Sequence, residues 1–420
     1  MTTPNGNILF NSTTGSDTQA SGLGPATAVS FTLQTTAGSN VATVSSGSFT
    51  SISIGDLMFI PDAAFTGRKF NIISNITPVT NEITFDNNWD DTSSSTTGYV
   101  GGKRATIDNA DSRRLLGFQN VQDLPSLCWV ELETDQTITS TVNGRGARRI
   151  KSSSGSRKTI TFDFFPNYYW AEIGMSGGGY FDNINFDTTN PLIRFGQAST
   201  GGYEATNYTY FFNCSLRNFS SMGAGFSRQM FVIALNTYFE NISSPGAYGF
   251  ATDSFNGSQC YVDANKCFFK NCGALNNAST DSYASVNRSE INDCVFLGDG
   301  TKDFSLYRLA TIKNSIISNY RYFSNISADS ILATVKNCVI HNVTSILNLD
   351  NATRNIDWIE MSDNYFYNVG SFSNVSGLEN YIGQNNTTLT TDPLQIQNGN
   401  VQLTNSAGGG YTVRNAEIKL

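Results

Sequence analysis

The sequence is poor in charge, in histidine and in long apolar runs. Only 14% of its 420 residues are charged, and the net charge is -8. Binding along a nucleic-acid backbone needs a basic face, so nucleic acid is excluded as an expected partner. No apolar run reaches the length of about 18 residues that a membrane-spanning helix needs. The start, "MTTPNGNILF", carries neither a basic segment nor an apolar one of the secretory kind. A soluble protein without membrane insertion is expected. The seven cysteines, Cys128, Cys214, Cys260, Cys267, Cys272, Cys294 and Cys338, show no CxxC spacing. This disfavours a zinc site and makes free buried thiols the expectation. The one histidine, His341, has Ser318 and Tyr367 beside it in its repeat column. It is read as a surface residue and not as part of a Ser/His/Asp set. No cofactor and no metal site is expected.

What the chain has in quantity is Asn, Ser, Thr, Gly and aromatics, a mixture that favours strands and turns. The segment "VKNCVIHNVTS" at 335–345 recurs in altered spelling: "NINFDT" at Asn183, "NCSLRNF" at Asn213, "NTYFENI" at Asn236 and "KCFFKNC" at Lys266. It continues with "DCVFLGD" at Asp293, "NSIISNY" at Asn314, "NCVIHNV" at Asn337 and "DNYFYNV" at Asp363. The starts are separated by 30, 23, 30, 27, 21, 23 and 26 residues. One short strand per 20 to 30 residues marks a β-solenoid. Variable spacing with constant strand spelling suits a parallel β-helix, whose loops absorb insertions while its rungs stack.

Each column of the repeat carries an expectation. The fourth position (Phe186, Leu216, Phe239, Phe269, Phe296, Ile317, Ile340, Phe366) is a core stack, and the second (Ile184, Cys214, Thr237, Cys267, Cys294, Ser315, Cys338, Asn364) fills the narrow end of that core. A disulfide between Cys267 and Cys294 is disfavoured, because in-register parallel strands hold side chains abreast. The sixth position (Asn218, Asn241, Asn271, Asn319, Asn342, Asn368, with Thr188 and Gly298 as exceptions) predicts left-handed bends and an asparagine ladder. The ladder would silence the sequons at Asn218, Asn241 and Asn342. The fifth position alternates in charge through Asp187, Arg217, Glu240 and Lys270, so these groups read as cross-rung pairs. The third position (Tyr238, Phe268, Val295, Ile316, Val339, Tyr365) points outward and predicts an exposed apolar stripe, the expected axis of a homotrimer. Cover by a loop is the competing reading.

Along the chain the expected parts are an extended arm or docking segment at 1–35, a small β module at 36–100 and a helical cap at 101–119. The β-helix is expected at 120–380 and a C-terminal cap at 381–420. The cap helix is placed from about Asn109 to Leu116, with Asp108 as N-cap and Gly117 as stop.

The "NC.F.N" rungs, the amphipathic segment before them and the ending "DPLQIQNGNVQL" resemble the pectate-lyase-like right-handed parallel β-helix superfamily. The resemblance covers roughly residues 105 to 410. The front, "ILFNSTTGSDTQASGLGPAT" followed by "GGKRATIDNADSRRLLG", is similar to β-helix proteins of tailed bacteriophages, tailspikes and tail fibres. That likeness implies a homotrimeric virion protein made in the bacterial cytoplasm. It implies docking to other virion proteins through the N-terminal region and binding of host surface polysaccharide. A polysaccharide depolymerase, hydrolase or lyase, is the alternative, and a scaffold or capsid decoration protein the second.

Glycoside hydrolysis needs two carboxylates. The candidates outside the charge ladder are Asp253 with Asp263, and Asp281 with Glu290. No column of the repeat is expected to stack acids on successive coils, so no lyase residue carries over. Sugar binding needs exposed aromatics. "FFPNYYWAEIGMSGGGY" and "SLYRLATIKNSIISNYRYFSN" offer Phe164, Phe165, Tyr168, Tyr169, Trp170, Tyr307, Tyr320 and Tyr322.

Overall fold

The computed structural model of the chain describes residues 2–115, 128–139, 143–145, 148–153, 155–164, 172–176, 179–190, 194–195, 207–219, 230–242, 260–273, 289–304, 310–326, 332–349, 358–373, 381–397 and 400–403. Loop residues Asp253, Asp281, Phe165, Tyr168, Tyr169, Trp170 and Tyr307 lie outside these ranges, so the readings made for them are neither placed nor moved. The fold is nearly all β, and the repeats stack as a parallel β-solenoid. Among the described residues no helix is long and apolar enough to cross a membrane. The chain forms two compact units, one of residues 1–167 and 173–189, the other of residues 168–172 and 190–420.

In the first unit, six strands close an antiparallel barrel in the order 29–35, 41–46, 82–85, 70–77, 57–59 and 93–100. Its core gathers Phe31, Leu33, Met58, Ile73, Phe85 and Trp89, every one of them buried. The barrel takes its first strand from residues that the sequence reading gave to an extended arm. Residues 1–35 are not such an arm. Ile8–Phe10 pairs in parallel with Val130–Leu132, and Ile8 and Phe10 are buried. This strand supplies the end rung of the first unit's parallel stack, where an open sheet edge would otherwise stand. The rungs continue through Arg148–Ser152 and Gly179–Asp182, with a second stack of 136–138, 158–162 and 184–188.

The helix runs Ala110–Leu115, and its cap is Asn109, whose Oδ1 accepts from the Asp111 amide at 2.9 Å. Asp108, the expected cap, instead accepts from the Thr139 amide and hydroxyl. So short a helix does not close a solenoid end; its described contacts tie it to Arg104 and Lys69. Arg104 is fully buried. Its guanidinium lies 4.6 Å over the Phe59 ring, donates to the Ala20 carbonyl and the Ser112 hydroxyl, and faces Asp17 at 3.5 Å. Burial lowers its pKa to about 10, with Asp17 and Asp111 opposing. One buried cation thereby ties residues 17–20, the barrel and the helix together.

In the described coils of the second unit two strands are joined by a tight bend, as Cys260–Asn265 and Phe268–Lys270 show, and the coil of 310–326 adds a third strand, Tyr322–Ile326. The bend residue is left-handed in every described coil: Asn213, Asn236, Lys266, Asp293, Asn314, Asn337, Asp363 and Asn385 have φ between 51° and 57°. Asn and Asp tolerate that region; Lys266 is the costly member. The sixth-position asparagines are left-handed as well and form the expected ladder. Asn241 Nδ2 donates to Asn218 Oδ1 at 3.0 Å, and the pattern repeats from Asn342 to Asn319 and from Asn368 to Asn342. Gly298 interrupts it because a Cβ there would sit 2.3 Å from the Asn319 carbonyl oxygen.

The core columns stack as read, except that Phe366 is only half-buried. The rings of Phe239, Phe269 and Phe296 lie parallel at 4.7 and 4.4 Å. Cys214, Cys267, Cys272, Cys294 and Cys338 are buried free thiols. Burial raises Cys272 and Cys338 to about 12, so neither supplies a thiolate at neutral pH. The charge column pairs Lys270 and Arg217 on either side of Glu240, at 2.7 and 3.5 Å.

The expected C-terminal cap is displaced. Tyr381–Gln384 and Thr387–Thr388 are still rungs, and the following chain forms a hairpin of Leu394–Gln397 with Asn400–Leu403.

Candidate functional site

Alternation along the strands 207–212, 230–235, 260–265 and 289–292 sends Val232, Ala234, Ala264 and Ile291 into the core. The residues between them form the outer face. Two columns line it: Tyr210, Ile233, Asp263 and Glu290, then Phe212, Leu235, Asn265 and Asn292. Tyr210, Phe212 and Ile233 are half-buried, Leu235 is 42% exposed, and Asp263 and Glu290 are exposed. The rings of Tyr210 and Phe212 stand nearly parallel, 6.3 Å apart. An aromatic and aliphatic patch thus borders two carboxylates on a flat sheet face.

Asp263 and Glu290 are direct register partners on adjacent rungs. Adjacent parallel strands lie about 4.8 Å apart, so like charges meet at short range. Partial burial and, after it, the Glu290 charge raise the Asp263 pKa above the usual carboxylate value. The pair can accept hydrogen bonds from sugar hydroxyls, and it can also hold and return a proton. The expectation that no column stacks acids is overturned here. Asp263 stands four residues before Cys267, and Glu290 four before Cys294. Extending the same alignment four residues upstream of each cysteine would have found the column. Asp253 and Asp281, the partners expected for Asp263 and Glu290, lie outside the described residues.

The third-position stripe is not exposed. Tyr238, Phe268, Val295, Ile316 and Val339 are buried within the single chain, and Leu394 packs against them with Tyr365 and Leu297 beside them. The outward direction was correct, and Leu394 of the chain's own C-terminal segment packs into the buried cluster as part of a strap. As a trimer axis the stripe is therefore unavailable while this strap is in place.

His341 is likewise not a surface residue; it is 3% exposed, between Ser318 and Asp392. A carboxylate only accepts, so Nε2 carries the proton toward Asp392 Oδ1 at 3.0 Å, and Nδ1 accepts from the Ser318 hydroxyl at 2.8 Å. The three residue types of a hydrolytic triad meet, but Ser318 is 1% exposed and has no face to offer a substrate. Asp392 also accepts from the Leu394 amide at 2.8 Å. The arrangement fastens the strap. Burial holds His341 below the usual imidazole pKa, with Asp392 pulling the other way.

Of the described aromatics, Phe164 and Tyr320 are core, the latter donating its hydroxyl to the Cys272 carbonyl at 3.1 Å. Tyr322 remains half-buried beneath Arg321, 4.8 Å from its ring centre. Among the described residues, no group of three or more His, Cys, Asp or Glu could hold a metal ion. No protein-family model matches this sequence, and no curated protein matches it.

Proposed function

We propose that this chain is a glycan-binding β-helix protein that lays a surface polysaccharide along the outer face of its second unit. The observation that carries the reading is the row of Tyr210, Phe212, Ile233 and Leu235 next to Asp263 and Glu290. Sugar rings present apolar faces to aromatic side chains and hydroxyls to carboxylates, and successive rungs offer both at regular intervals. The resemblance of the front segment to phage tailspikes and tail fibres supports placing the protein in a virion as a homotrimeric, host-attaching appendage. Its first unit would then face other virion proteins. Because the apolar stripe is covered, trimer contacts in this reading lie elsewhere. The test is a glycan array of bacterial surface polysaccharides probed with the full chain and with Asp263→Asn and Leu235→Asp variants, together with native mass by sedimentation equilibrium. Retention by at least one polysaccharide, lost in the variants, is expected; no retention by any of them removes the reading, and a monomer removes the trimer.

The raised pKa of Asp263 beside its register partner Glu290 favours a second reading, a depolymerase with Asp263 as proton donor and Glu290 as the second carboxyl of the pair. One rung of separation is close to the spacing of about 5 to 5.5 Å used by retaining glycosidases. Shortening of a bound polysaccharide, abolished by Glu290→Gln, is the expected outcome. Unchanged chain length on prolonged exposure leaves a binding protein.

A further inference from the structure

The first unit's own rungs also carry outward-facing side chains. Register sets Arg149 beside Tyr180, and Trp129, the residue before Val130, approaches it from the rung on the other side. The guanidinium carbon lies 6.0 Å from the Trp129 ring and 5.2 Å from the Tyr180 ring, and both rings are half-buried. Two residues on, Lys151 is neutralised by Glu131 at 3.5 Å, and Glu131 in turn accepts from Asn7 Nδ2. Arg149 has no such neutralisation: it forms no ion pair with a described carboxylate. Its Nε is shut from solvent without a partner. The hydrogen-bonding capacity left to this cation is therefore on its two Nη atoms.

We infer that this face binds a carboxylated sugar, with the uronate-type carboxylate on the Nη atoms of Arg149 and the sugar ring on Trp129 or Tyr180. A planar fork with two parallel donors matches a carboxylate and is held in place by the rings that sandwich it. The aromatic faces supply the apolar surface that a pyranose covers. A neutral sugar would leave the cation unanswered, and a free inorganic anion would leave the rings unused. The inference rests on the glycan-binding reading above and narrows it to acidic polysaccharides.

The test is calorimetric titration of the full chain with short oligomers of galacturonate, glucuronate and mannuronate, and with the same oligomers after carboxyl reduction. Binding of at least one acidic oligomer is expected, weakened about tenfold or more by carboxyl reduction. Arg149→Lys keeps the charge and loses the fork, so a similar loss is expected with an unchanged melting temperature. Trp129→Ala is expected to weaken acidic and reduced oligomers alike. Equal binding of acidic and reduced oligomers overturns the inference without needing any variant. Acidic oligomers bound as well by Arg149→Lys as by the parent chain overturn it too. If neutral polysaccharides bind on the array and no uronate oligomer does, this inference falls while the glycan-binding reading stands. If nothing binds in either experiment, both fall.

Discussion

Cutting the fastener of the C-terminal strap should expose the apolar stripe without unfolding the coils beneath it. Asp392→Ala removes the acceptor of two hydrogen bonds, from His341 Nε2 and from the Leu394 amide. Losing a buried partner costs about 1 to 3 kcal/mol, but Asp392 is 47% exposed on its side chain, so water replaces part of what is lost. About 1 to 2 kcal/mol is the resulting figure for the substitution. Adding Leu394→Ala takes a side chain that is only 7% exposed off the stripe, for about 2 kcal/mol more, the low end for a buried leucine. At about 1.4 kcal/mol per tenfold, the double substitution raises the open population by roughly two to three orders of magnitude. Limited proteolysis of the strap, amide exchange at Leu394 and binding of a hydrophobic dye to Tyr238, Phe268 and Ile316 read that opening. The sign with pH also follows. His341 titrates below its ordinary value of about 6.5 in the folded chain. The folded state thus binds fewer protons than the open one, so the contribution is complete above about pH 6.5 and is lost as pH falls through the folded pKa. Proteolysis and exchange rates within twofold of the parent chain, at neutral and acid pH alike, would refute the fastener.

Three further outcomes follow from the coils and the first unit. Lys266→Asn puts a residue that tolerates φ of 54° where a lysine now stands, and should stabilise the second unit by about 0.5 to 1 kcal/mol in urea unfolding. Phe269→Ala removes the middle ring of a stack that is fully buried, and should cost about 3 to 5 kcal/mol by the same measurement. Arg104→Ala leaves the Ala20 carbonyl and Asp17 without their buried cation, at a cost of about 3 to 5 kcal/mol. It should release residues 1–23 to proteolysis before the barrel melts.

The sequence by itself determined what repeats and what lies inside. Asn at the bends, Cys and Phe in the core columns and opposite charges in the fifth column answer to constraints internal to one coil and its neighbour. Such constraints recur every turn and leave a period in the chain. Even the Asp263–Glu290 column obeys that period and waited only for the alignment to be extended four residues upstream. What belongs to a single long-range contact has no period. Nothing within "ILF" at 8–10 announces that it pairs with 130–132, because a strand's partner is chosen by the whole chain's path. His341 reads as outward and solvated in its column, yet it is buried, with Asp392 from about fifty residues downstream hydrogen-bonded to its Nε2. The stripe of Tyr238, Phe268 and Val295 shows the same division. Alternation along the strand sets the direction in which those side chains point, and tertiary structure decides whether water or the chain itself meets them there.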